Sequence, residues 1–145
     1  MNRLDGKIAL ISGAGRGIGA ATAKLMIEAG AKVIIGDIIE KEGQELAEKL
    51  GPNAIFIRLD VTMEEDWERA VDLAKSSFGG LDILANNAGL FLGRDFSDVS
   101  LDDWNRLASV NMTGVWLGTK VAADALAERG ASLSLIHISE PTRLV

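Results

Sequence analysis

The chain of 145 residues contains no cysteine, no tyrosine and one histidine, and 15 basic against 21 acidic side chains give a net charge of -6. Without cysteine it forms neither a disulfide scaffold nor a thiolate metal site, and one histidine excludes a multi-histidine metal centre. The acidic balance disfavours a nucleic-acid binder, because such proteins normally carry a basic surface. We therefore expect no metal and no nucleic-acid partner.

The hydrophobic content of 48% is that of a globular domain with a core. No apolar run approaches the roughly 20 residues that a membrane span needs. Residues 1–7 lack the apolar centre of a signal peptide. These features predict a cytoplasmic protein with no membrane partner.

Short apolar runs alternate with longer amphipathic stretches along the chain. The apolar runs have the length and continuity of strands that are buried on both faces, and the amphipathic stretches have helical periodicity. This alternation predicts an α/β fold with a doubly wound parallel sheet and helices on both faces. The predicted strands are residues 8–11, 33–35, 55–57 and 83–85, and the predicted helices are residues 20–29, 40–50, 64–78 and 100–129.

Two of the predicted helices begin with capping signals. Thr62 is followed three residues later by Glu65, which is a capping-box pattern for the third helix. Ser100 and Asp103 have the same spacing at the start of the last helix. Both patterns predict that side chains satisfy the first backbone N–H groups of these helices.

A glycine-rich segment at residues 12–19 (SGAGRGIG) joins the first strand to the first helix. Glycines let the backbone turn tightly and approach a pyrophosphate, which the positive end of the helix also attracts. Two glycine registers fit a dinucleotide-binding turn: one begins at Gly15, and a wider one contains Gly13, Gly17 and Gly19. Within the turn, Arg16 can hold the pyrophosphate or meet an extra phosphate.

Asp37 ends the second predicted strand. A carboxylate there can accept both hydroxyl groups of an adenosine ribose, and it repels a 2′-phosphate. The position favours NAD over NADP as the cofactor. The alternative interpretation of Asp37 is a helix N-cap or a solvated loop residue.

Five motifs in order resemble the short-chain dehydrogenase/reductase family. They are the opening segment at residues 4–7 (LDGK), the wider glycine register, Asp60-Val61, the segment at residues 86–89 (NNAG) and the segment around Asn111 (VNMTG). The resemblance covers residues 1 to about 132 and is strongest to NAD-linked hydroxysteroid and 3-oxoacyl reductase-type members. It implies a Rossmann-type sheet with strand order 3-2-1-4-5, truncated so that later strands are missing.

The resemblance also implies roles for individual residues. Asp60 would hydrogen-bond the adenine amino group with Val61 alongside the ring, and Asn111 would support a proton relay as the catalytic asparagine. The alternative for Asp60 is a cap on the next helix, and Asn86 and Asn87 can also tie strand ends together. The implied cofactor-binding residues are Gly13, Arg16, Gly17, Ile18, Gly19, Asp37, Asp60, Val61, Asn87, Ala88 and Gly89.

The chemistry of the family is hydride transfer between nicotinamide and a secondary alcohol or ketone, with a tyrosine as general acid/base and a lysine four residues later. This chain contains no tyrosine. We therefore interpret it as part of an NAD-dependent oxidoreductase that is active only as the longer parent. The alternatives are a non-catalytic dinucleotide-binding module and an S-adenosylmethionine methyltransferase. The latter usually has an acidic residue before the first glycine, where this chain has Ser12.

The last residues form a separate segment. Residues 133–145 resemble the translation of a sequencing-library adapter, which predicts a domain over residues 1–132 followed by a non-native tail. Ser139 falls near the catalytic serine of the family, but its place in this tail makes it a doubtful site residue.

The family resemblance implies that the parent is a homo-oligomer, a dimer or tetramer, that pairs through the helix beginning at Ser100. We therefore expect Trp116, Leu117 and Val121 to lie at an exposed apolar surface of that helix. Trp67 and Trp104 are expected in the core or at an interface.

Overall fold

Four parallel strands form the centre of the computed structural model, which describes residues 3–130. They are β1 (Ile8–Ser12), β2 (Lys32–Asp37), β3 (Ala54–Arg58) and β4 (Ile83–Ala85). Their order across the sheet is β3-β2-β1-β4, and every neighbouring pair is parallel. The predicted doubly wound sheet is confirmed for the order 3-2-1-4. The predicted fifth strand and the tail with Ser139 lie outside the described residues.

Five α-helices connect and follow the strands in the described part of the chain: α1 (Gly17–Glu28), α2 (Glu40–Leu50), α3 (Glu64–Phe78), α4 (Leu101–Ala108) and α5 (Gly114–Glu128). A 3₁₀ turn (Phe96–Asp98) precedes α4, and a π-helical segment (Ser109–Thr113) joins α4 to α5. The predicted bounds of α2 and α3 are confirmed, and the predicted last helix contains this wider π turn. Each helix within residues 3–130 is too short or too polar to traverse a lipid bilayer.

The alternation of side chains along the strands builds two cores, one on each face of the sheet. Ile8, Leu10 and Ile34 pack with residues of α3 and α5 on one face. Ala9, Ile11, Val33 and Ile35 pack with Ala23 of α1 and Ala47 of α2 on the other. The central strands are therefore buried on both sides, which is why their sequences are continuously apolar.

Trp67 is the largest fully buried side chain, and it fixes α5 against α3. A Cβ atom on Gly118 would lie 2.7 Å from its ring, so this turn of α5 lies directly on the indole. Leu117 belongs to the same core and is 6% exposed, so the prediction that it is a surface residue is wrong. Trp104 and Trp116 are 59% and 60% exposed.

The two capping predictions have opposite outcomes. In α4, the Asp103 N–H donates to Ser100 Oγ and the Ser100 N–H donates to Asp103 Oδ2, which confirms the capping box. The box at Thr62 is wrong, because the N-cap of α3 is Met63 and no side chain caps it. Thr62 donates its N–H and its hydroxyl to Asp60 Oδ1, at 3.0 and 2.7 Å. The bond from the Thr62 N–H to the Asp60 carboxylate closes a local turn just before the helix starts at Glu64.

Asp82, just before β4, ties the end of α5 to the start of β1. Its carboxylate accepts hydrogen bonds from the Ile8 N–H at 2.9 Å and from Arg129 Nη2 at 3.1 Å. Burial raises the pKa of Asp82, but the hydrogen bonds from Arg129 and Ile8 and the charges of Arg129 and Lys7 outweigh it. The pKa of Asp82 is therefore held below its ordinary value.

We expect Asp82→Asn to lower the free energy of unfolding by about 2 kcal/mol near neutral pH, because the hydrogen bonds to a charged acceptor are weakened. A depressed native pKa gives stability that is present above the unfolded pKa and is lost as pH falls through the native pKa. The difference between wild type and variant should therefore shrink below about pH 4.

Urea unfolding followed by tryptophan fluorescence between pH 7 and pH 3 measures this difference. Asp72→Asn is the matched control, because Asp72 is an exposed carboxylate on α3. A stability difference that stays constant down to pH 3 would contradict the expected linkage.

Candidate functional site

A cleft of about 490 Å³ opens at the carboxyl edge of the sheet, beside α4. It lies where β1 has β2 on one side and β4 on the other, the switch point at which open α/β sheets bind ligands. The cleft is lined by Gly13, Arg16, Gly17, Asp37, Ile38, Ile39, Leu59, Asp60, Val61, Asn87, Ala88, Gly89, Leu90, Arg106 and Val110. Nine of the eleven predicted cofactor-binding residues thus lie around one space, and Ile18 and Gly19 are not among its lining residues.

Ser12 and Asn87 bind the glycine-rich turn to the loop after β4. Ser12 Oγ accepts the N–H groups of Asn87 and Ala88, both at 3.1 Å. Asn87 Nδ2 donates to the carbonyl oxygens of Ser12 and Gly13, at 3.1 and 3.0 Å. This confirms that Asn87 ties strand ends together. The amide of Asn86 instead donates to Thr119 in α5, at 3.3 Å.

Two glycines are required by this close approach. Gly13 has a φ of +65°, and a Cβ atom on it would lie 2.8 Å from the Cα atom of Ala88. A Cβ atom on Gly19 would overlap the carbonyl oxygen of Gly13 and lie 2.6 Å from Asn87 Nδ2. Gly19 therefore shapes the cleft through packing between the glycine-rich turn and α1.

The N-terminus of α1 faces the cleft beside this turn. Its N-cap residue Arg16 makes no side-chain capping bond, and the first helical turn contains no acidic residue. The N–H groups of this turn thus keep the partial positive charge of a helix N-terminus, and the Arg16 guanidinium adds a full charge. Ile18 is 79% exposed in the same turn.

Asp37 is held rigidly between the glycine-rich turn and the start of α2. Its Oδ2 atom accepts the Gly15 N–H at 2.8 Å, and its Oδ1 atom accepts the Ile39 N–H at 3.0 Å. The residue is 7% exposed, and the N-cap of α2 is Ile39. Asp37 is therefore neither the N-cap of α2 nor a solvated loop residue.

Asp60 and Val61 line the cleft just after β3, the strand that pairs with β2. Asp60 Oδ1 receives both hydrogen bonds from Thr62, and the N-cap of α3 is Met63. Asp60 is therefore not the cap of α3. Among the described residues, no group donates a hydrogen bond to Asp60 Oδ2.

Asn111 lies in the π-helical segment and is not a lining residue of the cleft. Its side chain pairs with the backbone of Leu90, accepting the N–H at 2.7 Å and donating to the carbonyl oxygen at 2.8 Å. It thereby holds the loop after β4 at the cleft, since Leu90 is a lining residue. Its role in a proton relay stays a prediction.

Six lining residues were not predicted from the sequence: Ile38, Ile39, Leu59, Leu90, Arg106 and Val110. Ile38, Leu59 and Leu90 adjoin predicted residues after strand ends, and Ile39 follows Ile38. Their sequence position at the sheet edge could therefore have identified them. Arg106 lies in the last turn of α4, and Val110 lies in the π-helical segment that follows. Which residues of these two segments line the cleft depends on how the segments pack against parts of the chain that are distant in sequence.

The doubly wound sheet, the glycine-rich turn at a helix N-terminus and the carboxylate ending β2 together define a dinucleotide-binding α/β fold of the Rossmann type. The family model described as short chain dehydrogenase matches residues 7–140. The chain belongs to the short-chain dehydrogenase family of oxidoreductases.

Relatives and solved structures are similar to the chain over part of their length. A 3-alpha-(or 20-beta)-hydroxysteroid dehydrogenase from Mycobacterium bovis is 44% identical, over 94% of this chain and 52% of the relative. A trans-4-hydroxycyclohexanecarboxylate dehydrogenase from Sinomonas cyclohexanicum is 42% identical, over 99% and 58%. The chain thus spans about half the length of the curated relatives it matches.

Among solved structures, a 3-ketoacyl-(acyl-carrier-protein) reductase from Brucella melitensis complexed with NADH matches with a TM-score of 0.84 and 38% identity. The match covers 88% of this chain and 53% of that structure. The family binds nicotinamide dinucleotides, and this neighbour was solved with one of them.

Proposed function

We propose that this chain is the NAD-binding part of an oxidoreductase whose longer parent interconverts a secondary alcohol and a ketone. The observation that carries the choice of NAD is Asp37, a buried carboxylate that ends β2 and faces the glycine-rich turn. A carboxylate there accepts the ribose hydroxyls of NAD and repels the 2′-phosphate of NADP.

The residues around the cleft fit the parts of the dinucleotide. The N–H groups of the glycine-rich turn and the Arg16 guanidinium would hold the pyrophosphate, because both carry positive charge toward the cleft. Asp60 and Val61 would contact the adenine, and Ala88 and Gly89 would leave room for the nicotinamide ribose. The cofactor, when bound, supplies the nicotinamide ring that takes or gives the hydride.

The chain's own contribution to the reaction is to orient the cofactor. Asn111 would hold the loop after β4 through Leu90, and in the parent it would support the proton relay. The proton donor of the family is a tyrosine, which these 145 residues lack. We therefore propose that this chain binds NAD(H) without turning over substrate. The alternative, a non-catalytic dinucleotide-binding module, predicts the same behaviour.

The substrate class and the setting are further parts of the proposal. The curated relatives include dehydrogenases named for hydroxylated compounds, which supports a small alcohol or ketone as the parent's substrate. Trp104 and Trp116 expose large apolar surfaces on α4 and α5, which supports a homo-oligomeric parent. A cytoplasmic location completes the proposal.

Titration of the chain with NADH and with NADPH, followed by nicotinamide fluorescence, tests this proposal. We expect saturable NADH binding and weaker NADPH binding. We also expect no change in absorbance at the NADH band when ketones are added with NADH or alcohols are added with NAD⁺. Absence of NADH binding would contradict the proposed function. Reproducible hydride transfer by this chain would contradict only the proposed need for the missing tyrosine.

A further inference from the structure

The cleft wall formed by Leu59, Asp60 and Val61 is held from outside the cleft. The Leu59 N–H donates to the carbonyl oxygen of Asp37 at 3.0 Å. The Asp60 N–H donates to Asp66 Oδ2 at 2.8 Å, and Trp67 Nε1 donates to the carbonyl oxygen of Val61 at 3.0 Å. Two consecutive residues of α3 therefore hold two consecutive residues of the wall.

Asp66 is a buried carboxylate in the first turn of α3, with 6% of its surface exposed. Besides the Asp60 N–H, it binds Arg58 Nη1 at 3.3 Å and the guanidinium of Arg69. Burying a charge is costly unless it is paired and hydrogen-bonded, and replacing a whole buried ion pair by apolar residues is often neutral or stabilising. The hydrogen bond to Asp60 is the part of this arrangement that reaches the cleft.

The backbone of Asp60 determines where its carboxylate lies, because the side chain has only one carbon between Cα and the carboxyl group. Oδ1 is occupied by the two donors of Thr62, so the carboxylate has one orientation relative to this backbone. Oδ2 accepts nothing from the described residues and belongs to a residue that lines the cleft. An incoming amino group can therefore bind it.

We propose that Asp66 is a positioning residue for adenine recognition. By accepting the Asp60 N–H, it holds the backbone so that the Asp60 carboxylate meets the exocyclic amino group of an adenine in the cleft. This inference rests on the proposed binding of NAD. It adds that adenine selectivity depends on a side chain on α3 that does not line the cleft.

The test compares the dissociation constants of NADH and reduced nicotinamide hypoxanthine dinucleotide, in which an oxygen replaces the exocyclic amino group. We expect the wild-type chain to prefer NADH by about tenfold or more, since the hydrogen bond is made to a charged acceptor. Asp66→Ala should reduce this preference to less than about twofold. Asp66→Asn should keep most of it, because an amide oxygen can still accept the Asp60 N–H.

The preference is a ratio measured on one folded population, so a loss of stability alone does not change it. Asp66→Glu retains the charge near Arg58 and Arg69 but displaces the acceptor by one methylene, and it should lower the preference. If Asp66→Ala does not fold, the Asn and Glu variants carry the test. Glu65→Ala, which removes an exposed carboxylate from the same helical turn, should leave the preference unchanged.

The outcomes separate the two proposals. If the wild-type chain binds neither dinucleotide, the proposed function is overturned. If it binds both without preference, adenine recognition by Asp60 is overturned, and the role of Asp66 with it. If the wild type prefers NADH and Asp66→Glu and Asp66→Ala prefer it equally, the inference about Asp66 alone is overturned.

Discussion

Asp37→Ala is expected to change the preference for NADH over NADPH by at least about 100-fold, because it removes hydrogen bonds to a charged acceptor and a like-charge repulsion together. NADH should bind more weakly, since the ribose hydroxyls lose their acceptor. NADPH should bind more tightly, because the 2′-phosphate no longer meets a carboxylate and Arg16 remains nearby. Fluorescence titration with both dinucleotides measures the change.

The control for Asp37→Ala is Asp72→Ala, which makes the same change in net charge on the exposed face of α3. A stability measurement belongs beside the titration, because Asp37 also binds the N–H groups of Gly15 and Ile39. An Asp37→Ala chain that folds and retains the wild-type preference for NADH would show that this carboxylate does not select the cofactor.

Gly19→Ala is expected to destabilise the chain by about 3 kcal/mol, the upper end of the usual cost of overpacking. The added methyl group would overlap the carbonyl oxygen of Gly13 and press on Asn87 Nδ2. Since these neighbours include backbone, the strain cannot be relieved by a side-chain rotation. The glycine-rich turn would move away from the loop after β4, and NADH affinity should fall with stability.

Urea unfolding and NADH titration of the same samples measure both effects of Gly19→Ala. Gly93→Ala is the matched control, because its nearest neighbour would lie at 3.6 Å, an ordinary contact, and its stability and affinity should be unchanged. If Gly19→Ala had wild-type stability and affinity, the close packing between the turn and the β4 loop would not be needed for the site.

Local patterns predicted the elements that local interactions determine. The predicted bounds of α2 and α3 agree with the structure because each helix has an amphipathic period and a clear end, such as Gly51 after α2. The strands are one to three residues longer than predicted, except β4. The residues at their ends are polar or small. Backbone hydrogen bonds in the sheet extend the strands over these residues, whereas a prediction from apolar runs stops before them.

Two predictions failed because they depended on contacts that a spacing pattern does not contain. Thr62 had the spacing of a capping box, but the N-cap of α3 is Met63, and Thr62 belongs to a turn with Asp60 instead. Leu117 is next to the exposed Trp116, but packing of α5 against Trp67 buries Leu117. A local turn decided the first outcome, and packing against another helix decided the second.

The sequence by itself determined the order of strands and helices, the glycine-rich turn and the acidic end of β2, because each is a short-range pattern with a direct physical cause. Only the tertiary structure decided how Ser12 meets Asn87, which side chain holds the Asp60 backbone, and that Arg106 faces the cleft. These contacts depend on the packing geometry of whole segments, even where the residues are close in sequence. Packing of the two cores brings these segments together, and local sequence patterns do not predict the resulting contacts.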